Sequence, residues 1–505
     1  MDQTLSNAYN QAISGNEIYA RNKLRYQFLY DSYVGGETYR QGNYLTQYKL
    51  ESAADYVLRC QTTPLDNHCR SIIATYVSFL FRLEPSRDMG SLATEPALPS
   101  FMEDCDYDGR DLDSFMKDAA IWANVFGTAW IMMSKPDIGA ITRADEMAAE
   151  VRPYLNLLTP LVTVDWQYTR RANGRYELKY FKYVEDVNGD ITTIKEWDLD
   201  FIKTTIVNTN SENIVSEEVV LNGLGFIPAV CLYAQKSSIR GQGLSTIEDI
   251  ADAQRFIYNM TSEVEQAVRL GSHPSLVKTR DTNAGAGAGS IIEMPDNMDP
   301  GLKPYALEFS GAEISSMYAA INAAIDSIDK MANTGAIRAT EARTMSGISR
   351  IVEFELLNAR LSEMADNIEL AEEQMWQIYA YYQGYTWDGK IEYPDSFSIR
   401  DTDNELDQLV KAKAAIDDPN GRALIEHEIL EVLDIEIVTE LQPAVVQQEE
   451  MEEHPSLANL SQAERLSHIQ TMLMEGYSND EILAMHPELV LQDIVAAGAE
   501  AARNN

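Results

Sequence analysis

The sequence is poor in positive charge: 40 Lys and Arg stand against 79 Asp and Glu in 505 residues, a formal net charge of −39 and an isoelectric point near 4.4. Holding nucleic acid by counterion release takes a basic surface or stripe, and the composition supplies neither. Cysteine is scarce as well. Cys60, Cys69, Cys105 and Cys231 show no CxxC spacing, so reduced thiols are expected rather than disulfides or a zinc site. The six histidines fall at 68, 273, 427, 454, 468 and 486 with no HxH or HExxH among them, and no metal or other cofactor is expected. No GxSxG marks a nucleophile. So long a chain without a catalytic signature is not expected to be an enzyme. Long hydrophobic runs are missing too. The best candidate, the ten residues Ile72 to Phe81, is far short of a membrane span. The opening Met1-Asp2-Gln3-Thr4 has no basic segment leading into an apolar one, and no signal peptide is expected.

What is present is ordinary globular composition, 45% hydrophobic and 24% charged, which excludes disorder as a global description. The periodicity predicts an α+β, mainly helical chain. Up to about residue 150 it is helical, with breaks at Gly35-Gly36, Pro64, Glu84 to Pro99 and Pro136; Ile72, Ile73, Tyr76, Val77 and Leu80 mark one helix face. The run Leu112 to Met133 reads as one more helix. From Leu155 to Tyr233 the period becomes two, with hairpin turns at Asn173-Gly174 and Asn188-Gly189, and an antiparallel meander is expected. Helical spacing returns at Gly243, with Ser245 and Glu248 placed as a capping box for a helix reaching Leu270. Short β-prone pieces (Ser275 to Thr279, Ser290 to Met294, Pro304 to Phe309) surround the Gly/Ala run 283–289. A second helix, Ala312 to Met331, a small polar and basic segment, and a third helical run, Ser349 to Tyr382, follow. The last 105 residues hold 23 acidic and 5 basic side chains. They read as helical pieces (Asn404 to Ile416, Gly421 to Leu433), a glutamate-rich linker and a module from Ser461 to Ala502.

Three motifs invite a chemical reading. Asp104-Cys105-Asp106-Tyr107-Asp108-Gly109 matches the first half of a calcium loop, but Phe115 stands where a bidentate Glu belongs. A turn followed by Asp111 or Asp113 capping the next helix is the favoured reading. The glycines at 285, 287 and 289 do not follow GxGxxG and read as a loop tip; Gly241-Gln242-Gly243 reads as a turn.

The order of elements carries more. Ile227-Pro228-Ala229-Val230-Cys231-Leu232-Tyr233, then Arg240-Gly241-Gln242-Gly243-Leu244-Ser245, Ile247 to Ile250 and Gln254 to Asn259, resemble the stretch that opens the first stem helix of tailed-bacteriophage portal proteins. Met345-Ser346-Gly347-Ile348 resembles the step after the tunnel loop of that family. Phe101 to Pro136, with Gly127-Thr128-Ala129-Trp130, looks like its N-terminal wing. The match covers roughly residues 20 to 400. The tail departs from it: Leu473 to Leu483, His486-Pro487-Glu488-Leu489 and Asp493-Ile494 are similar to small helix-turn-helix modules. Without a basic face, a protein-contact or packing role is expected for it.

The resemblance implies a portal-like ring subunit. It would comprise a wing (1–242, helical over 1–150 and stranded over 155–233), a first stem helix (243–271), a clip (272–310), a second stem helix (311–332), a tunnel loop (333–349), a long wing helix with a following strand (350–400) and an acidic helical crown (401–505). It implies Arg338, Glu341, Arg343 and Arg350 at the tunnel loop, with the arginines either nearest the DNA or paired with acidic neighbours of adjacent subunits. Glu248, Glu263, Asp326 and Asp329 are the channel-facing candidates of the stem. Lys278, Arg280, Asp281, Glu293 and Asp296 are the clip residues that would meet the packaging motor and the adaptor. The implied partners are further copies in a ring of about twelve, the large terminase, a head-tail adaptor, the major capsid protein and DNA in transit, with no membrane. The implied location is the virion's portal vertex, and the host cytoplasm during assembly. An oligomeric virion or scaffold protein without a channel, and an unrecognised hydrolase, are the alternatives.

Overall fold

Short polar side chains set where the N-terminal helices begin. In α1 (Asp2–Ile13) through α5 the starts are marked by Asn16, Ser52 and Asn67, whose side-chain oxygens accept from the amides of Tyr19, Asp55 and Arg70. They open α2 (Glu17–Val34), α4 (Ala53–Thr62) and α5 (His68–Leu80), with the single-turn α3 (Gly36–Gln41) between. Strand β1 (Ser86–Asp88) and α6 (Leu98–Glu103) lead to α7 (Leu112–Phe126), which Asp111 caps by accepting from the Ser114 amide at 2.7 Å. These observations come from a computed structural model. It describes residues 2–397 apart from 137, 140–142, 273–274, 281–282, 285–291, 294–296, 298, 300, 302, 308–310 and 336–346, together with 409–413, 422, 425 and 469.

The chain divides into two compact units, Met1–Ser398 and Ile399–Asn505. In the second, residues 409–413, 422, 425 and 469 are helical, the last three within the expected helix Gly421 to Leu433 and the terminal module; the rest of the tail, the glutamate-rich linker included, lies outside the described residues.

The helix expected over Leu112 to Met133 ends early. Gly127 takes φ +86°, a left-handed conformation that closes helices, and Thr128–Ser134 continues as strand β2. Its Thr-Ala-Trp-Ile-Met-Met core is buried on both faces, and a continuous apolar run does not reveal by period whether it is helix or strand. After α8 (Arg143–Ala148), β3 (Tyr154–Leu158) pairs with β2 on one side, and β9 (Ala229–Tyr233) pairs with β2 on the other, all antiparallel. The meander is therefore shorter than expected. It comprises β4 (Thr163–Arg170), β5 (Tyr176–Asn188), β6 (Ile191–Asp198), β7 (Phe201–Asn208) and β8 (Asn213–Leu221), in that spatial order. Both Asn-Gly turns fall where the sequence places them.

One core joins α2, α5, α7 and the β2 sheet to the later helices; Ile72, Ile73, Tyr76, Val77 and Leu80 are all buried in it. A second core, built on Trp130, Trp166, Phe181 and Trp197, packs the meander against the three-stranded sheet. Helix α1 lies on the meander through Tyr9 and Ala12 against Ile194 and Val207. The buried Lys182 ammonium donates to the carbonyls of Gln11 and Ser14, both at 3.0 Å. Burial lowers the Lys182 pKa, opposed by nearby Glu196 and Asp165.

The sharpest steric constraint is the contact between Gly127 and Gly243. A Cβ on Gly243 would lie 2.0 Å from the Gly127 carbonyl oxygen, and one on Gly127 would lie 2.7 Å from the Gly243 carbonyl. Both neighbours are backbone and cannot rotate away. Gly243→Ala is expected to lower the unfolding free energy by about 3 kcal/mol or more, read as a lower denaturation midpoint in urea.

Candidate functional site

The stem begins where the Gly243 turn meets the end of α7. The Ser245 hydroxyl donates to the Val125 carbonyl at 2.7 Å and accepts from the Ile247 amide, while the Thr246 hydroxyl donates to the Asn124 carbonyl. The expected capping box is thus replaced. Ser245 ties the approaching turn to α7, and α9 starts later, running Glu248–Ser272, roughly 37 Å. The Glu248 carboxylate instead accepts from Arg25 of α2 at 2.7 Å, and Arg25 also reaches Asp252 at 3.0 Å.

Helix α9 is held by polar side chains as well as by Ile250, Ile257, Tyr258 and Val264, which are buried in the main core. Gln254, fully buried, accepts from the Cys69 amide in the first turn of α5 (2.9 Å) and donates to the Ser32 carbonyl near the end of α2 (3.1 Å). One side chain thereby serves groups that helix ends leave without an intrahelical partner. Five residues on, Asn259 accepts from the Thr46 amide and donates to the Tyr44 carbonyl. Next, Ser262 accepts from Arg59, whose buried guanidinium also grips both Glu51 oxygens at 2.7 Å and the Thr46 carbonyl. Arg59 holds the Glu51 carboxyl below its usual range. Glu263 bonds to Tyr48; burial first, and that carboxylate second, push the Tyr48 hydroxyl up to about 12.

Helix α10 (Gly311–Ala332) packs back along α9 through Ile321, Ile325 and Ile328. It stops in a Schellman arrangement: the Thr334 amide donates to the Asp329 carbonyl, the Asn333 amide to that of Lys330, and Asn333 takes φ +54°. Tyr76 of α5 donates to the Ala332 carbonyl, and Arg360 of α11 (Gly347–Gln383) donates to that of Met331. Helix α11 is itself anchored at a buried carboxylate. Glu372 accepts from Arg87, Trp376 and Tyr393, joining α11 to β1, which pairs with β14 (Lys390–Glu392).

Beyond the hairpin's free end lie two small antiparallel pairs, β10 (Ser275–Val277) with β13 (Tyr305–Leu307) and β11 (Asn283–Ala284) with β12 (Ile292–Glu293). Lys278, Arg280 and Glu293 are exposed there. Asp281 and Asp296, like Arg338, Glu341 and Arg343, lie outside the described residues. Arg350 falls in the first turns of α11, and its side chain is not described. Asp326 and Asp329 are half-buried on α10. The structure thus brings Glu248 and Glu263 against α2 and the 44–59 segment, and it leaves the tip residues apart from both. The sequence reading missed Gln254, Asn259 and Arg59; Asn and Gln at consecutive turns of an otherwise amphipathic helix were the available signal.

At the base, a cavity of about 560 Å³ is lined by Arg25, Gln235, Glu248, Asp249, Met331 and Arg360, among others. Its arginines are already engaged, and the Ser245 and Thr246 hydroxyls on its wall donate to the Val125 and Asn124 carbonyls. The calcium-like loop is likewise internally occupied. Asp104 accepts from the Gly109 amide and Arg152, and Asp106 from the amides of Asp108 and Arg110. Among the described residues, no group of carboxylates, cysteines and histidines is placed to hold a metal ion. Among them, too, no helix is long and apolar enough to cross a membrane.

No protein-family model matches the chain, and no curated protein does. Among solved structures it is similar to a chain in the neck of an empty GTA particle, at TM-score 0.44 and 11% identity over 78% of this chain and 99% of that one. A chain in the neck of a native GTA particle gives 0.42 and 10%, over 84% and 98%. One in the virion of a native gene transfer agent particle gives 0.39 and 10%, over 71% and 89%.

Replacing Gln254 by Leu keeps its volume but strands the Cys69 amide and the Ser32 carbonyl in the interior. An unfolding free energy lower by about 2 to 4 kcal/mol is expected, with the loss registered in urea titrations.

Proposed function

We propose that this chain is the ring-forming portal subunit of a tailed phage-like particle, a conduit for double-stranded DNA rather than an enzyme. The carrying observation is the α9–α10 hairpin: two long antiparallel helices fixed at one end, with a small β tip at the other and large apolar side chains left on the outside. Phe256 and Val268 of α9 and Tyr318 of α10 are 46%, 44% and 51% exposed. A single hairpin cannot bury them, whereas a closed ring sets each hairpin against its neighbours. Hairpin, tip, intervening segment and 37-residue helix follow in the order on which the sequence resemblance rests.

The charge fits a conduit. Walls that repel phosphates let a duplex slide, and a formal −39 per copy, multiplied around a ring, provides them. In this reading the tunnel-loop arginines Arg338, Arg343 and Arg350 stand nearest the DNA, with Glu341 in the same loop. Asp326 and Asp329 on α10, with Glu248 and Glu263 on α9, contribute the channel's negative field, the last two while bonded to Arg25 and Tyr48. The β tip, with Lys278, Arg280, Asp281, Glu293 and Asp296, is the surface for the terminase and then the head-tail adaptor. The major capsid protein surrounds the wing at the portal vertex of the virion, after assembly in the host cytoplasm.

The purified chain is expected to assemble into closed rings of about twelve copies of 56.7 kDa, near 680 kDa in all. Native mass spectrometry gives the mass, and negatively stained images give the central hole. A closed ring too narrow for a duplex, or an open or solid assembly, would favour the virion or scaffold reading without a channel.

A further inference from the structure

The five-stranded meander is electrically and structurally lopsided. At one edge the tip of the β4–β5 hairpin carries Arg170, Arg171 and Arg175, all exposed, and the carboxylate beside them, Glu177, is bonded to Arg171. Arg240 joins them from the β9–α9 connection. Its guanidinium sits 3.7 Å from the centre of the Tyr176 ring, with that of Arg170 5.7 Å from the same ring. Four guanidiniums thus gather at one corner of a chain with a formal charge of −39.

The opposite edge reverses the sign. Strand β8 carries Glu217 and Glu218, with Glu212 just before it, all exposed; Lys203, on the neighbouring strand, is taken up by Glu217 at 2.9 Å. The two edges also differ in cover. On β4 the Val164 carbonyl accepts from the Asn16 amide, and the Trp166 indole donates to the Arg240 carbonyl. Among the described residues β8 has a sheet neighbour on one side alone, β7, and it leaves Val219 and Leu221 54% and 78% exposed. This nine-residue edge strand holds no proline or lysine; its glutamates and the register shift at Ile206/Val207 blunt pairing with a like edge but leave its aliphatic side chains open to a partner of opposite charge.

We propose that the β8 edge is a docking surface for a second copy of this chain, which presents to it the arginine-bearing β4–β5 tip. This rests on the ring reading above and names a contact within it. Opposite charges at opposite edges favour head-to-tail contact, because edge-to-like-edge contact would set arginines on arginines or glutamates on glutamates. Head-to-tail contacts are the kind that close into rings. The seated tip covers Val219 and Leu221, and the guanidinium forks meet carboxylates in the bidentate geometry they suit.

The test uses the full-length chain and two exposed residues whose side chains form no ion pair among the described residues, Arg175 and Glu218. Arg175→Glu and Glu218→Arg are each expected to raise the protein concentration for half-assembly roughly tenfold at low salt, measured by light scattering. The double variant, which restores opposite signs across the contact, is expected to recover most of that loss. Wild-type rings that neither single variant weakens, or a double variant no better than the worse single one, would overturn the inference and leave the ring reading standing. A wild-type chain that stays monomeric at every salt concentration would overturn both. Assembly rescued by the double variant excludes misfolding as the cause of the single-variant losses.

Discussion

The architecture hangs on the burial of a long helix by polar means. Gln254 has no exposure to water, so both its bonds, to the Cys69 amide and the Ser32 carbonyl, must be made for the site to be tolerable. That requirement fixes the rotation and height of α9 against α2 and α5 together. Asn259 and Ser262 repeat the constraint at the next turns. Once α9 is fixed, α10 lies along it, and Tyr76 and Arg360 hold the carbonyls at its end. The hairpin is therefore braced at its base, while Phe256, Val268 and Tyr318 remain outside.

This division of labour follows from what each kind of contact supplies. Apolar packing against the core is adaptable, since many rotations of a helix bury comparable area. Hydrogen bonds to fixed backbone groups admit one. The inner side of α9 combines the two, with Gln254, Asn259 and Ser262 selecting the rotation in which Ile250, Ile257 and Val264 are buried, and its outer surface leaves Phe256 and Val268 exposed. The meander follows the same logic with charge, keeping arginines at one edge and glutamates at the other.

Much of this was legible in the residues. The period change near Leu155, the two Asn-Gly turns and the apolar face of α5 came directly from spacing, and of the two capping candidates Asp111 caps α7. Errors arose where period carries no information or where a distant partner decides. Thr128 to Met133 is apolar on both faces and reads equally as helix or strand, until Gly127 adopts its left-handed conformation. Ser245 and Glu248 have the spacing of a capping box, yet the Val125 carbonyl and Arg25 outcompete it, and neither competitor is near in sequence. The role of Gln254 was not legible because its two partners lie 185 and 222 residues away. The tunnel-loop assignment for 333–349 came from family resemblance alone, and residues 336–346 lie outside the described residues.

Hydrogen–deuterium exchange along α9 and α10, in the dispersed chain and in the assembled one, tests the central claim that the base of the hairpin is fixed within the chain and its outer surface by neighbours. Amides from Ile250 to Ser262 are expected to be slow in both states, while those from Val264 to Arg269 and from Ala312 to Ala320 slow by about tenfold or more only on assembly. Equal protection of the whole hairpin in the dispersed chain, or no change in its outer part on assembly, would contradict the account.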